Sequence, residues 1–399
     1  MWFFYSPGII YGEDAIDFLE FIPGEKVFVV TDKVLEELGH LKILTEKLDK
    51  FGKKYKVFTD VQPDPHEDDV LSARKQCIDY APDLVIALGG GSVMDTAKVV
   101  WCLNEFPELV LDDIHPFNGE LYKLRNKSKF VAITTTSGTG SEITNASVIS
   151  RFVDGIWKKH FFLHKSIMPS FAIVDPIFTV GMPPKLTVDT AFDALTHSLE
   201  GITSLWKNEF SYAMALKAIE LIFKYLPIVA KDGKNMEARD YMHQAATMAG
   251  LAFGNSQAQL AHTLGHSWGS VFHVPHGRAV GIFLPYVLQY SLNNPDEADK
   301  TEDLLGKVAK QLGWANWDED NKKAADIVIK KVKELQEEVG FSSNLKELGT
   351  TKEDYDKHID VLVNLCFEDS TSVLGPRSAN SEEFGKLYEY AFEGKDVDF

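Results

Sequence analysis

The chain has 399 residues, of which 45% are hydrophobic and 25% charged, and this composition predicts a soluble globular protein of two domains. Its net charge of −18 argues against nucleic acid or an anionic membrane as a partner, and no apolar run reaches the roughly 20 residues of a membrane-spanning helix. Three widely spaced cysteines without a CxxC motif, and an N-terminus without the basic stretch of a secretory signal, predict a reduced, cytoplasmic protein.

Short runs rich in β-branched residues predict a parallel sheet in the first part of the chain. Two helix-length segments, around 34–51 and 66–80, separate the first three runs. Strands and helices that alternate in this way are typical of a parallel sheet covered on both faces. The predicted strands are 26–31, 55–59, 84–88, 130–134 and 171–174.

From Thr187 onward the pattern changes to helices, because apolar residues recur at spacings of three and four and no further strand run follows. The connector 176–185 contains one glycine and three prolines and is the best candidate for a domain boundary. We therefore expect a Rossmann-like α/β domain over residues 1–180 and an all-α domain over residues 181–399.

A run of glycines, Gly89–Gly91, followed by Ser92, lies between the predicted strand 84–88 and a helical stretch, 93–102. Glycines at a strand-to-helix turn let the backbone approach a phosphate, and the helix N-terminus adds unpaired N–H groups and a favourable dipole. The spacing is not GxGxxG, so a tight turn without a ligand is the alternative interpretation.

A second loop, 134–144, is rich in hydroxyl groups and glycines and follows the next predicted strand. A loop of this kind suits the ligand crevice at the carboxyl ends of the strands of an open α/β sheet. The alternative is a solvated loop of turn-forming residues. Two such loops on neighbouring strands favour a bound ligand.

Asp32 ends the first predicted strand. Its carboxylate could accept hydrogen bonds from an adenosine ribose and would repel a 2′-phosphate. The alternative role is that of an N-cap for the helix that follows.

Five residues of the second half have spacings typical of a metal site. Asp193 and His197 are four residues apart in a strong helical pattern, so they lie on one helix face, and His262 and His266 repeat that spacing. His276 follows a proline, where a bend can direct its ring inward. One carboxylate and three imidazoles suit a first-row divalent ion such as iron or zinc. The alternative is a surface pair and histidines that serve packing or hydrogen bonding.

Together these segments closely resemble the iron-containing (group III) alcohol dehydrogenase family. The resemblance spans nearly the whole chain, with the motifs in the expected order, and it implies the two-domain architecture shared with dehydroquinate synthase. The matching stretches are GGGSVMDTAK (89–98), TTTSGTGSEIT (134–144), DP (175–176), DALTHSLEG (193–201) and HTLGHSWGSVFHVPHG (262–277), with a weaker match in DSTSVLGPR (369–377).

The resemblance also implies roles for the matching residues. Asp193, His197, His262 and His276 would be the ligands of Fe²⁺ or Zn²⁺. His266 would be the catalytic histidine beside the nicotinamide. Members with an acid at the position of Asp32 tend to prefer NAD, so NAD(H) is expected over NADP(H). The residues expected to bind the cofactor are Asp32, Gly90, Gly91, Ser92, Asp95, Thr135, Thr136, Thr139, Ser141, Thr144 and Lys159, the last requiring a one-residue shift in the match.

Several positions depart from the family pattern or extend it. Gly375 stands where asparagine is usual, and His273 adds an imidazole near His276. Phe253 falls where the family places an aromatic residue over the substrate. We expect Val148, Phe253 and His273 at the substrate pocket, with packing roles as the alternative.

The implied reaction is the interconversion of a small alcohol and an aldehyde. The metal would act as a Lewis acid on the substrate oxygen, hydride would pass to or from the nicotinamide, and His266 would relay the proton. The alternatives are a metal- and NAD-dependent lyase like dehydroquinate synthase, a glycerol dehydrogenase-like enzyme, and a binding protein that has lost its chemistry. The resemblance favours a homodimer or larger homo-oligomer, and the motifs do not identify the substrate.

Overall fold

The computed structural model describes residues 3–153, 156–295 and 298–399 of the chain. Contacts divide the chain into two units, Met1–Met182 and Pro183–Phe399. The described strands all lie in the first unit, and the described part of the second unit is helical. The predicted fold class, an α/β domain followed by an all-α domain, is confirmed.

The strands of the first unit form one sheet and one hairpin. They are β1 (Gly8–Tyr11), β2 (Lys26–Val30), β3 (Lys54–Phe58), β4 (Leu84–Gly89), β5 (Lys129–Thr134), β6 (Ala146–Val153), β7 (Ile156–Leu163) and β8 (Phe171–Val174). Six of them make a parallel sheet in the order β1-β8-β5-β4-β2-β3, and β6 pairs with β7 in an antiparallel hairpin. All five predicted strands are present, and β1 and the hairpin are additions.

Helices cover both faces of the sheet. They are α1 (Lys33–Glu37), α2 (His40–Lys50), α3 (Glu67–Tyr80) and α4 (Gly91–Glu105). On β2, Phe28 and Val30 belong to a core with α3 and α4, whereas Val27 and Val29 belong to a core with α2. Because both faces are buried, the strands are almost continuously apolar. The predicted helix around 34–51 is two helices, since Gly39 adopts a φ of 83° and separates α1 from α2.

The second unit contains the remaining helices. They are α5 (Pro184–Thr203), α6 (Glu209–Lys231), α7 (Met236–Gly254), α8 (Leu260–Phe272), α9 (His276–Leu292), α10 (Ala298–Gln311), α11 (Asn321–Glu338), α12 (Lys352–Glu368) and α13 (Ser381–Glu393). Helix α5 packs against α6, α7 and α9, and every residue from Thr187 to Thr203 is buried. The polar side chains of this segment therefore need partners inside the unit.

Two further features concern the chain as a whole. Among the described helices, none is both long and apolar enough to cross a membrane. The three cysteines, Cys77, Cys102 and Cys366, are buried and free. Their burial raises the pKa of each thiol, so these cysteines are inert packing residues rather than nucleophiles.

Candidate metal centre and nucleotide-binding loops

Four side chains from three helices of the second unit converge on one point. Asp193 and His197 come from α5, His262 from the first turn of α8, and His276 is the first residue of α9. One ligand atom of each lies within 4.8 Å of all the others. Oδ1 of Asp193 lies 3.6 Å from Nε2 of His197, 3.9 Å from Nε2 of His262 and 3.5 Å from Nε2 of His276. The structure thus brings together all four predicted ligands.

The spacing of these atoms fits the ligands of one small cation. Normal N–H···O bonds are about 2.9 Å long, and Oδ1 of Asp193 and Nε2 of His262 are buried without a hydrogen-bond partner among the described residues. Ligand atoms about 2.1 Å from one tetrahedral ion would be separated by roughly 3.4 Å, close to the distances found. A carboxylate and three imidazoles suit divalent iron or zinc.

The charge of Asp193 also supports a cation site. Burial alone would raise the pKa of its carboxyl group, but the imidazoles of His197, His276 and His262 outweigh burial and hold that pKa below its ordinary value. Asp193 is therefore an anion at neutral pH, the state in which a carboxylate binds a metal.

Glu200, one turn beyond His197 on α5, orients His262. Its Oε2 lies 2.6 Å from Nδ1 of His262, and its carboxylate also accepts the backbone N–H groups of Gln259 and Ala261 at 2.9 and 2.6 Å. A carboxylate at Nδ1 fixes the tautomer in which Nε2 carries the lone pair, the one that points towards Asp193. The same contacts cap the start of α8, so one side chain fixes both the first turn of the helix and the orientation of His262, a predicted ligand.

His266 lies beside the four-residue cluster but is not part of it. Its ring stacks on that of His276 with centroids 5.2 Å apart, and its Nδ1 lies 2.6 Å from Oδ2 of Asp369. Burial lowers the pKa of His266. For Asp369, burial alone would raise the pKa, but His266 and the hydrogen bonds from Thr371 lower it below its ordinary value. The pair is therefore a neutral imidazole that donates Nδ1–H to a carboxylate, with Nε2 as its acceptor nitrogen.

Phe253 and His273, two of the predicted substrate residues, have different surroundings. Phe253, on α7, lies flat on the ring of His197, with centroids 3.8 Å apart and planes 8° from parallel. His273 is exposed, ends α8 with a φ of 54°, and is not one of the clustered residues. Phe253 thus contacts a predicted ligand directly, whereas His273 ends the helix.

The weak match around residue 375 has a local explanation. A Cβ added at Gly375 would lie 3.1 Å from Oε1 of Gln259, so a larger side chain would need Gln259 to move. The Gln259 amide in turn donates to the carbonyl of Glu200 and, at 3.0 Å, to Thr203 Oγ1. Glycine at this position therefore leaves the Glu200 contacts undisturbed.

In the first unit, the two predicted nucleotide-binding loops lie against each other. Gly90 is the N-cap of α4, and a Cβ there would lie 3.1 Å from Thr136, while a Cβ at Gly91 would lie 3.1 Å from Thr139. Oγ1 of Thr136 is buried without a hydrogen-bond partner among the described residues. The open start of a 15-residue helix and an unpaired hydroxyl beside it fit a phosphate-bearing cofactor. Ser92 lies in the first turn of α4, and Thr135, whose N–H donates to Gly89, is buried.

Asp95 and Lys98 of α4 hold the polar loop 134–144 in place by hydrogen bonds. Lys98 Nζ donates to Ser141 Oγ at 2.9 Å, to Thr144 Oγ1 at 3.2 Å and to a backbone carbonyl. Asp95 accepts from Ser141 Oγ at 2.8 Å and from the N–H of Val148 at 3.0 Å. Ser141, Thr144 and Asp95 therefore hold the loop in place, and Val148, the third predicted substrate residue, is tied to the same network.

The remaining cofactor candidates, Asp32 and Lys159, lie at the start of α1 and within β7. Oδ1 of Asp32 accepts the N–H of Leu35 at 2.9 Å, so Asp32 is the N-cap of α1. Lys159 lies on β7, with Nζ 3.6 Å from Oδ1 of Asp64. Asp32 therefore has the N-cap role given above as the alternative. Its Oδ2 takes no part in this hydrogen bond.

Comparison with known proteins gives matches along nearly the whole chain. Residues 6–176 match the family described as iron-containing alcohol dehydrogenase, and residues 187–392 match the Fe-containing alcohol dehydrogenase family, C-terminal. The chain is 35% identical to the NADPH-dependent butanol dehydrogenase of Clostridium saccharobutylicum, with 98% of each chain covered. It is 30% identical to the 1-propanol dehydrogenase PduQ of Citrobacter freundii, covering 95% of this chain and 96% of that one. The crystal structure of a 1,3-propanediol oxidoreductase superposes with a TM-score of 0.89 at 26% identity, covering 98% of this chain and 100% of the other.

Proposed function

Because the chain belongs to the iron-containing alcohol dehydrogenase family, we propose that it interconverts short aliphatic alcohols and aldehydes with NAD(H) and one bound divalent metal ion. The predicted family and enzyme class, an oxidoreductase acting on CH–OH groups, are confirmed. The observation that carries the proposal is the convergence of the buried Asp193 carboxylate with three imidazole nitrogens. Iron is the first choice of metal, and zinc would suit the same donors.

The chemistry divides between the bound groups and the chain. When bound, the metal would polarise the substrate oxygen as a Lewis acid, and the nicotinamide would carry the hydride. Asp193 contributes the one negative charge among the four ligands, and Glu200 keeps the lone pair of His262 Nε2 directed at the site. Phe253 holds the ring of His197 flat against its own.

His266 is the residue that would move the proton. With Nδ1–H donated to Asp369, its Nε2 can accept a proton in alcohol oxidation and return it in aldehyde reduction. The carboxylate of Asp369 would stabilise the imidazolium that forms, as a carboxylate does beside a general-base histidine elsewhere. Thr371, through its N–H and hydroxyl, holds Asp369 in that position.

The cofactor is NAD(H) rather than NADP(H) in this proposal, although the butanol dehydrogenase of Clostridium saccharobutylicum is NADPH-dependent. Asp32 places a carboxylate at the carboxyl end of β2, where it would repel a 2′-phosphate. The nearest cation in sequence, Lys33, is paired with Asp60 at 2.9 Å and so offers little positive charge to a phosphate.

The substrates are short and mainly apolar in this proposal, as the names of the relatives suggest: butanol, 1-propanol and 1,3-propanediol. Phe253 supplies an apolar face beside the metal ligands, which suits an alkyl chain better than a polyol. Val148 and His273 stay candidate pocket residues.

The decisive experiment combines metal analysis with a substrate panel. The protein would be purified without oxygen, its metal content measured, and acetaldehyde, propanal, butanal and 3-hydroxypropanal offered with NADH or NADPH. We expect one iron or zinc per chain, oxidation of NADH on aldehyde addition, loss of activity on chelation and recovery with metal. His197→Ala should lose the metal, whereas His358→Ala, which removes a half-buried histidine of α12 outside the cluster, should keep it.

Two outcomes would contradict the proposal. Aldehyde reduction that survives complete removal of metal would exclude the metal site from catalysis. A bound metal without net NADH turnover on any aldehyde would favour a lyase related to dehydroquinate synthase.

Assembly and compartment are further parts of the proposal. We propose a homodimer or larger homo-oligomer, which light scattering on the purified protein would measure. Three free, buried cysteines fit a reducing compartment such as the cytoplasm, and fractionation of the producing cells would test that assignment.

A further inference from the structure

A buried ion pair lies next to the candidate metal centre and joins helices α5 and α9. Asp189 is one turn before Asp193 on α5, and Arg278 is two residues after His276 on α9. Nη2 of Arg278 lies 2.6 Å from Oδ1 of Asp189, and the two side chains are only 12% and 5% exposed. The resemblance that identified the metal ligands gave neither residue a role.

The backbones also meet at this point. A Cβ added at Gly277 would lie 2.5 Å from the carbonyl oxygen of Asp189 and 3.2 Å from Cβ of Asp193. Only glycine allows α9 to begin so close to the turn of α5 that carries Asp193. The first turn of α9 is therefore fixed against α5 by one close backbone approach and one ion pair.

His276 depends on this junction more than the other ligands do. Its side chain is 37% exposed, whereas those of Asp193, His197 and His262 are at most 4% exposed. It is the first residue of α9 and follows Pro275, so no helical turn supports it from the N-terminal side. Its position is set mainly by the residues that follow it.

The charges of the pair compensate each other. Among the described residues no second carboxylate lies within ion-pairing distance of Arg278, whose guanidinium otherwise lies over the ring of Phe341 at 4.7 Å. Removing one partner would leave the other charge buried and unpaired, a strongly unfavourable arrangement. The first turn of α9 could relieve it by moving away from α5, and His276 would move with that turn.

We propose that Asp189 and Arg278 are positioning residues that hold His276 within ligand distance of the metal, so that the site has four protein ligands instead of three. This inference rests on the proposed function, because it presupposes a metal bound by Asp193, His197, His262 and His276. Both residues act through His276, since neither is among the clustered ligand atoms.

Cobalt(II) is the probe for the test, because its visible absorption bands report the number and arrangement of its ligands. Metal-free full-length protein would be titrated with Co²⁺ for the parent, Asp189→Asn, Arg278→Met, the double variant, Arg278→Lys and His276→Ala. The matched control is Glu383→Gln, which breaks another largely buried ion pair of the same unit, Arg377 to Glu383 at 2.8 Å. Thermal unfolding of each variant gives its stability separately.

We expect each single variant to weaken Co²⁺ binding about 10- to 100-fold, the loss usual for residues that orient metal ligands, and to shift the spectrum towards that of His276→Ala. The double variant should bind no more weakly than the singles, because one interaction is lost only once. It also leaves no buried unpaired charge, so it remains informative if a single variant fails to fold. Arg278→Lys should restore part of the affinity, and Glu383→Gln should keep the parent spectrum.

If the folded double variant binds Co²⁺ with the affinity and the spectrum of the parent, Asp189 and Arg278 do not position His276. That result would leave the proposed metal site intact. A parent protein that binds no Co²⁺, or a His276→Ala variant that binds it as the parent does, would overturn the proposed metal site. The positioning role of Asp189 and Arg278 would fall with it.

Discussion

The aromatic ring of Phe253 lies parallel to the imidazole of His197, with centroids 3.8 Å apart and an 8° angle between the planes. The imidazole is buried, and Nε2 faces Asp193 at 3.6 Å. Because a face-to-face contact prevents the imidazole from tilting, Phe253 restricts His197 to the orientation in which Nε2 points at the other ligands. An aromatic residue expected over the substrate therefore also holds a predicted metal ligand in place.

We predict that Phe253→Ala weakens metal binding by roughly tenfold, since a ring that can tilt must be ordered again when the metal binds. Competition with a chromophoric chelator would measure the metal affinity. Phe223→Ala is a suitable control, because Phe223 of the same unit contacts Trp314 rather than a ligand. Equal loss of affinity in both variants would show that the effect is one of general stability.

Glu200→Gln should reduce metal affinity about 10- to 100-fold while leaving the protein folded. The amide would no longer fix the Nδ1–H tautomer of His262, although its carbonyl could still accept one backbone N–H group. Isothermal titration of metal-free protein with Zn²⁺ would measure the change.

The control for Glu200 is Glu105→Gln in the first unit. Glu105 is also buried and also accepts backbone N–H groups, those of Asn126, Lys127 and Ser128. Its replacement should lower stability without changing the metal affinity. Unchanged Zn²⁺ binding in Glu200→Gln would show that Glu200 only caps α8.

The sequence was sufficient for the elements, and for the candidate metal residues, whose spacing is local. The four-residue spacing of Asp193 and His197 follows from helix geometry, and the apolar runs of β2 and β4 follow from burial on both faces. The break at Gly39 was missed because apolar residues continue on both sides of it. The β6–β7 hairpin was missed because β6 carries Ser147, Ser150 and Arg151 and gives no clear alternation.

The supporting residues of the site were harder to find. Glu200 does carry a signal, since it lies seven residues, two helical turns, beyond Asp193 on the same helix. Asp369 begins the weaker match 369–377, but nothing in that match pairs it with His266, which is 103 residues away and is brought to it only in the folded chain. Asp189 and Arg278 carry no signal. They are charged residues of a kind usually found at the surface, and only the packing of α5 against α9 brings them together.

Lys98 gives a prediction about pH. It is completely buried, and burial lowers its pKa to about 8 despite the nearby Asp95 and Glu142. Between about pH 8 and pH 10.5 the unfolded chain binds a proton at Lys98 that the folded chain does not, so stability rises with pH in that window. The charged amine is correspondingly unfavourable below about pH 8.

Urea unfolding of the parent and of Lys98→Met at about pH 7 and about pH 10 would test this. The difference in unfolding free energy should move in favour of the parent at the higher pH, by up to about 3 kcal/mol. The two proteins must be compared at each pH, because tyrosine and cysteine groups common to both titrate in the same range and affect both unfolding free energies. A difference that stays constant with pH would mean that Lys98 titrates normally.

Asp32→Gly should shift the cofactor preference towards NADPH. Removing the carboxylate removes its repulsion of a 2′-phosphate, and we expect the NADPH-to-NADH ratio of kcat/KM to rise about tenfold or more, the equivalent of about 1.4 kcal/mol. Glycine at an N-cap costs only a few tenths of a kcal/mol, so the fold of α1 should persist. Asp320→Gly, which removes the N-cap of α11, is the control and should leave the ratio unchanged. A parent enzyme that already prefers NADPH would refute the role given to Asp32.

We propose that Asp193, His197, His262 and His276 bind one metal ion together. Crystals of anaerobically purified protein, with anomalous difference maps recorded at the iron and zinc absorption edges, would locate that ion. We expect a single strong peak about 2.0–2.2 Å from Asp193 Oδ1 and from Nε2 of each histidine. The absence of a peak among these four atoms in protein shown to contain metal, or a peak coordinated by other residues, would show that these side chains do not form the metal site.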